Sequence, residues 1–463
     1  MVKSPFSAIV LAAGKGTRMK SPLPKVLHPV AGRPMIQHVV ETVKASGAHE
    51  VRVVLGHGEA LVREAIEPLG AVCFRQQNQH GTADAVRAAE PENMNGVVII
   101  LNGDHPLIEV ADLQKIVAEF TASSAHIGMV TVTLDDPGQY GRVIRNQGRV
   151  WGVVEAKDAT HESRKIKEVN TGIYITRSEI LQQYLPLIQP HNAQNEFYLT
   201  DLISLAVTDG RQVDAIPAAL HVSQGVNDQR ELSLTSRILF KRKIERLMSE
   251  GVVVMDPDQT YVELSVQVGE GAVLFPNVHL RGQTKLGAMV VVEPGCMIQN
   301  SEIGDGVNLK AGCYIDQAKV GAGSDVGPYA HLRPGTVIGK ECKVGNFVEM
   351  KKVNFGDGSK ASHLTYLGDA TIGTDTNIGC GTITCNYAAD RKKYETIIGN
   401  NVFVGSDTQF VAPVKIGDNA IIGSGSTITK DVPAHALAVA RGKQIIKENY
   451  LPKAPGAKGD SSS

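Results

Sequence analysis

The chain has 463 residues, beyond the ~250 to 300 at which a single hydrophobic core stops growing, so at least two domains are expected. Lys plus Arg total 47 against 48 Asp plus Glu, a balance that leaves no global basic field to draw in nucleic acid or an anionic membrane surface. Six cysteines, at Cys73, Cys296, Cys313, Cys342, Cys380 and Cys385, form no C-x-x-C pair and no disulfide-dense spacing, which implies reduced thiols in a cytoplasmic protein.

The apolar stretch Ile9 to Ala13 is too short for a signal peptide and runs into Lys15 and Arg18. Ala8 to Leu11 therefore predicts the first buried strand of an α/β sheet, after which Gly14 and Gly16 let the backbone turn with its amides facing phosphate oxygens. Arg18 adds a planar cationic fork and Lys25 a compact charge for a triphosphate. A G-x-G after a strand is weak evidence alone, because many tight βα turns share it. From Ser7 to about Ala218, strand-like runs (Val51 to Leu55, Val97 to Leu101) alternate with helical patterns (Met35 to Ala45, Leu113 to Phe120), which predicts a Rossmann-like, mostly parallel sheet in a domain over 1–227. Such sheets bind ligands beyond the carboxyl ends of their strands, so the loops Gly14 to Lys25 and Asn102-Gly103-Asp104 should converge. Asp104 is the natural metal ligand there, with a turn or helix-capping role as the alternative.

Over 228–249, Leu232, Ile238, Leu239, Ile244 and Leu247 with Lys and Arg between them predict an amphipathic linker helix. Beyond it, over 250–450, an aliphatic residue recurs every six, as in Val320, Val326, Leu332, Ile338, Val344 and Met350, or Ile398, Val404, Phe410, Ile416, Ile422 and Ile428. That beat fits a hexapeptide parallel β-helix with three faces and eighteen residues per coil. The repeat is fully explained by packing, so chemistry belongs where it breaks: the slip between Ile315 and Val320 and the segments Val353 to Ile372 and Ile383 to Ile398. The tail 451–463, PKAPGAKGDSSS from Pro452, is too polar to pack and is expected to be disordered.

LAAGKGTRM followed by LPKVLH resembles the signature of the sugar-nucleotide pyrophosphorylases, which join a nucleoside triphosphate to a sugar 1-phosphate and release pyrophosphate. The resemblance implies Arg18 and Lys25 as catalytic residues and places Leu11, Ala12, Gly14 and Lys25 on the nucleotide. It implies Gln76 and Gly81-Thr82, in QQNQHGTADA, for uracil, and Gly103, Gly141, Glu155, Asn170 and Tyr198 for the sugar side. Among members that make UDP-N-acetylglucosamine from UTP, it further implies that Asp104 and Asn227 hold Mg2+ together, a pairing no spacing reveals. Asn102 stays outside the predicted site.

The second constellation reads KKVNFGDGSKASHLTYLGDATIG and then NIGCGTITCNY, with HLRPG upstream. Acyl transfer to an amine needs a base near neutrality, and His363 is the candidate among 14 histidines. Arg333 and Lys351 suit a sugar phosphate, and Tyr366, Asn377, Asn386 and Tyr387 offer donors and acceptors; a solvated polar face is the alternative. Both halves together resemble the bacterial bifunctional family that acetylates glucosamine 1-phosphate and then uridylylates the product, a precursor for peptidoglycan and lipopolysaccharide. That resemblance implies a homotrimer through a left-handed β-helix and acetyl-CoA as acyl donor. It assigns Arg333, Lys351, Tyr366 and Asn377 to glucosamine 1-phosphate and Asn386, Tyr387, Ser406, Ser424 and Arg441 to acetyl-CoA. The chain departs from the family where Ala388-Ala389 and one extra residue follow Asn386-Tyr387, so that Lys392 or Lys393 fills the lysine role; Lys393, before an aromatic residue, is preferred. A monofunctional pyrophosphorylase with a structural β-helix and a non-catalytic scaffold are the rival readings.

Overall fold

The computed structural model describes residues 5–192, 194–448 and 450. The tail predicted for 451–463 lies outside the described residues. The chain divides into two compact units between Lys243 and Ile244.

The first unit is built on β1 (Phe6–Ala12), β2 (Ala48–Leu55), β3 (Val72–Arg75), β4 (Val97–Asn102), β5 (Ile127–Thr133), β6 (Arg142–Asn146), β7 (Arg149–Val154), β8 (Glu168–Arg177) and β9 (Val213–Pro217). The main sheet runs β9-β5-β8-β4-β1-β2-β3, and the β6/β7 hairpin branches from β8. Its central strands are apolar on both faces because each face is covered: Ala8, Val10, Ile99 and Leu101 enter one buried cluster, Ile9, Val98 and Ile100 the other. The predicted helix forms over Met35–Ala45 and buries Ile36, Val39, Val40 and Val43.

The sheet is mostly parallel, as expected, with one reversal. β8 runs antiparallel between β4 and β5, because the β6/β7 hairpin returns the chain without a crossover helix. This reversal matters for the site: Tyr174 pairs with Ile100, so the start of β8, with Asn170, lies at the end where β1 and β4 finish. The Gly103 N–H bonds to Leu11 O at 2.9 Å, which brings the two predicted loops together.

A helix spans Gln229–Ser249. Asp228 Oδ1 accepts the Glu231 N–H at 2.8 Å, and Glu231 Oε2 reaches back to the Asn227 N–H at 2.6 Å, a reciprocal cap that fixes Asn227 at the helix entrance.

The second unit is a left-handed parallel β-helix. Every aliphatic residue of the two six-residue series above is buried in one continuous core. The coil length differs from the expected eighteen. Leu280 pairs with Ile298 and Leu332 with Met350 at eighteen, whereas Ile298–Ile315, Ile315–Leu332 and Met350–Leu367 step by seventeen. A corner can lose one residue while the inward side chains stay stacked, so the phase slip leaves the core intact. Thr384 pairs with Phe410, twenty-six residues on, and the extra length carries a loop in which Tyr387 bridges Lys393 and the Ala388 N–H bonds to Lys392 O at 3.0 Å.

Candidate active sites

In the first unit the turn after β1 places Arg18 and Lys25 over the loop after β4. The Lys25 ammonium forms an ion pair with Asp104 Oδ2 and donates to Asn227 Oδ1 at 2.8 Å; Arg18 donates to the same amide oxygen at 2.8 Å. Four predicted residues from three distant segments thus meet at one point. Burial alone would push the Asp104 carboxyl up, but the adjoining Lys25 ammonium and the neighbouring His105 together hold the group below its ordinary range. Asp104 Oδ1 is buried without a hydrogen-bond partner.

A cleft of about 650 Å³ opens from this point, lined by Leu11, Ala12, Gly14, Gln76, Gly81, Thr82 and Tyr198. A second hollow shares Asn102, Asp104 and Glu155 with it and adds Arg18, Gly141, Asn170 and Asn227. The predicted residues are therefore gathered, with Gly103 just beneath: a Cβ there would lie 2.6 Å from Ile36 Cδ1. Gly81 sits at φ +118°, and a Cβ would lie 2.5 Å from Phe197 O, so the backbone can pass here only as glycine. Gln76 Nε2 is spent on Asp84 at 2.7 Å and Gly81 O at 3.2 Å, leaving its amide oxygen to accept. Asn170 donates to the buried Tyr174 hydroxyl at 2.6 Å. Burial raises the Glu155 carboxyl above its usual range, with the Asp158 and Asp201 charges adding to the effect and a Thr200 bond opposing it. Asn102, left out of the predicted site, lines both hollows, as Tyr140 and Gln79 line one each. A larger cleft elsewhere in this unit holds none of the predicted residues, and its Arg145 is tied to both oxygens of Glu168.

In the second unit His363 ends the strand Lys360–His363 and is exposed. Its Nδ1 lies 2.6 Å from Asn346 Oδ1, its register partner one coil earlier. An amide oxygen only accepts, so Nδ1 carries the proton and the Nε2 lone pair is free to act as a base. Asn346 was not predicted, although its seventeen-residue offset from His363 equals one coil.

The register sets the other residues in columns. Lys360 pairs with Asn377, Asn377 with Phe403 and Phe403 with Ile421, so His363, Cys380, Ser406 and Ser424 follow one another up a single corner. Arg441 continues it by donating to Ser424 O at 2.8 Å. On another face Arg333 follows Leu332, whose partner Met350 precedes Lys351, and Lys351 pairs with Gly368. Tyr366 and Asn386 converge over the bare Gly368: a Cβ there would lie 2.5 Å from the tyrosine hydroxyl and 2.8 Å from Asn386 Nδ2. Asn386 is held by Asp369, and Arg333 by Glu349 at 2.7 Å. Lys393, rather than Lys392, lies beside Lys351 and, with slight burial, depresses that ammonium below its ordinary range. Asn377 is not brought into this column; its register neighbours are Lys360 and Phe403. Tyr387 stands exposed on the inserted loop.

Residues 8–168 match the MobA-like NTP transferase domain, residues 257–355 the GMPPB C-terminal domain and residues 395–430 the bacterial transferase hexapeptide repeats. One unit carries a nucleotidyltransferase and the other a hexapeptide transferase, which makes the chain a two-domain transferase. The bifunctional protein GlmU of Bdellovibrio bacteriovorus is 58% identical over 97% of this chain and 98% of its own length. Those of Trichlorobacter lovleyi and Geotalea uraniireducens are 46% and 44% identical over 96% of this chain and 98% of theirs. The chain belongs to the GlmU family of bifunctional enzymes. Among the described residues no helix is long and apolar enough to cross a membrane.

Proposed function

We propose that the second unit transfers the acetyl group of acetyl-CoA to glucosamine 1-phosphate, and that the first unit transfers uridylyl from UTP to the product, giving UDP-N-acetylglucosamine and pyrophosphate. The observation that carries the reading is the convergence of Arg18 and Lys25 on the Asn227 amide oxygen, with Lys25 also paired to the Asp104 carboxylate, in a cleft at the carboxyl end of the sheet.

For uridylyl transfer the sugar phosphate oxygen is already an anion, so no side chain need act as a base. Arg18 and Lys25 neutralise the triphosphate and align the α-phosphorus; a new P–O bond forms as the bond to pyrophosphate breaks. Asp104 and Asn227 fit Mg2+: both offer hard oxygen donors, and the unpartnered Asp104 Oδ1 is a lone pair awaiting a cation. When bound, the ion supplies charge neutralisation on the phosphates. A site of one carboxylate and one amide oxygen is of the kind that phosphates and water complete.

For acetyl transfer, the sugar ammonium gives one proton to solvent, His363 Nε2 takes a second as the nitrogen bonds to the thioester carbon, and the C–S bond breaks as the imidazolium returns that proton to the departing thiolate, leaving a neutral amide and a thiol. Arg333, Lys351 and Lys393 hold the sugar phosphate, and the corner bearing Ser406, Ser424 and Arg441 receives the acetyl-CoA. We assign the assembly as a homotrimer through the β-helix. The stacked rings of Tyr329 and Phe347, at 5.7 Å, and Leu364 leave an apolar ladder exposed beside His363, which suits cover by neighbouring copies. Six free cysteines agree with work in the cytoplasm.

Incubating the chain with glucosamine 1-phosphate, acetyl-CoA, UTP and Mg2+, omitting one component at a time, tests the reading. Thiol release without UTP, and pyrophosphate release only with acetylated sugar, are expected. Pyrophosphate release with no acetylation would leave the monofunctional reading standing, and neither activity would favour the scaffold.

A further inference from the structure

His105, one residue past Asp104, was not among the predicted site residues, and its ring is buried between two loops. Its Nδ1 lies 3.2 Å from the carbonyl of Val222, 117 residues on. A carbonyl only accepts, so Nδ1 carries the proton and Nε2 is turned the other way, 3.6 Å from Asp104 Oδ1. On that side the ring is pressed against Gly225: a Cβ at 225 would lie 2.8 Å from Nε2. The Val226 N–H bonds to Asp104 O at 3.0 Å, and Asn227 follows at once.

From this packing we propose that His105 is a positioning residue for the divalent cation, setting the distance between the Asp104 carboxylate and the Asn227 amide. The inference rests on the metal reading above. Two oxygens from segments more than a hundred residues apart must present one cavity to an ion with strict geometric demands, and few bonds cross between those segments. The imidazole supplies one such bond and fills the space that keeps the segments apart. Gly225 is the complementary feature, since any side chain there would displace the ring.

The test compares His105→Asn, which keeps an N–H donor at the position of Nδ1, with His105→Leu, which keeps bulk and loses the donor. Mn2+ is titrated into the full chain with UDP-N-acetylglucosamine present, and free ion is read by EPR. A roughly 10-fold weaker Mn2+ affinity is expected for His105→Leu and a change within about 3-fold for His105→Asn. The Mg2+ concentration for half-maximal uridylyl transfer should rise by the same factor, with the rate recovering at saturating metal and acetyl transfer unchanged. Unaltered Mn2+ affinity in His105→Leu, with Asp104→Asn losing it, overturns the inference alone. Equal losses in both His105 variants that saturating metal does not restore also overturn it, because they mark a purely structural role. Unaltered affinity in Asp104→Asn overturns the metal site itself.

Discussion

Glu155 is a carboxylate that the fold holds at a cost. Its pKa is raised by burial first and then by Asp158 and Asp201, so the folded chain binds its proton more tightly than the unfolded chain does. Its contribution therefore becomes unfavourable as pH rises above the ordinary value of 4.5 and through the folded value. Glu155→Gln should raise the thermal midpoint of the first unit at pH 7.5, and the gain should shrink toward pH 4.5, while uridylyl transfer falls. A gain that does not vary with pH, measured by calorimetry, would show that the carboxylate is not strained. At the other site Asn346 acts through His363. Asn346→Leu removes the acceptor that fixes the tautomer and should slow acetyl transfer by roughly 10-fold or more, short of the ~10²- to 10⁴-fold cost of removing a general base. Steady-state rates of Asn346→Leu and His363→Ala measured side by side check the order.

At the scale of elements, the β-helix holds its strands by stacking rather than by local propensity. Most of its strands are two or three residues long, too short to persist alone, and each is fixed by partners one coil above and below. Phe410 fills the core where Thr384 is its partner on one side and Ile428 on the other. It lies one coil on from Thr384, beyond the inserted loop. Phe410→Ala should destabilise the second unit by about 3–5 kcal/mol. Calorimetry should show the corresponding transition moving down while uridylyl transfer at 25 °C is retained. In the first unit the decisive element is β8, whose reversal delivers Asn170 to the cleft.

For the whole molecule, two chemistries on two units predict separable defects. Asp104→Ala should lower uridylyl transfer by at least about 10²-fold and spare thiol release, and His363→Ala should do the reverse. Equal loss of both activities in either variant, in the same coupled assay, would mean that the sites are not independent. The sequence alone determined the two folds, because hydrophobic periods of alternating strand and helix and then of six residues are local records of which side chains turn inward. It also contained the phosphate loop, whose glycines and cations are contiguous from Gly14 to Lys25. The pairing of Asp104 with Asn227 came from family likeness, since no local rule joins residues so far apart. Only the tertiary structure decided that Lys25 bridges them, that Asn346 orients His363, that Lys393 and not Lys392 faces Lys351, and that His105 lies between the loops that carry Asp104 and Asn227. Each of those is a long-range contact set by sheet register and loop packing, and a linear chain carries no distance between residues until the strands have paired.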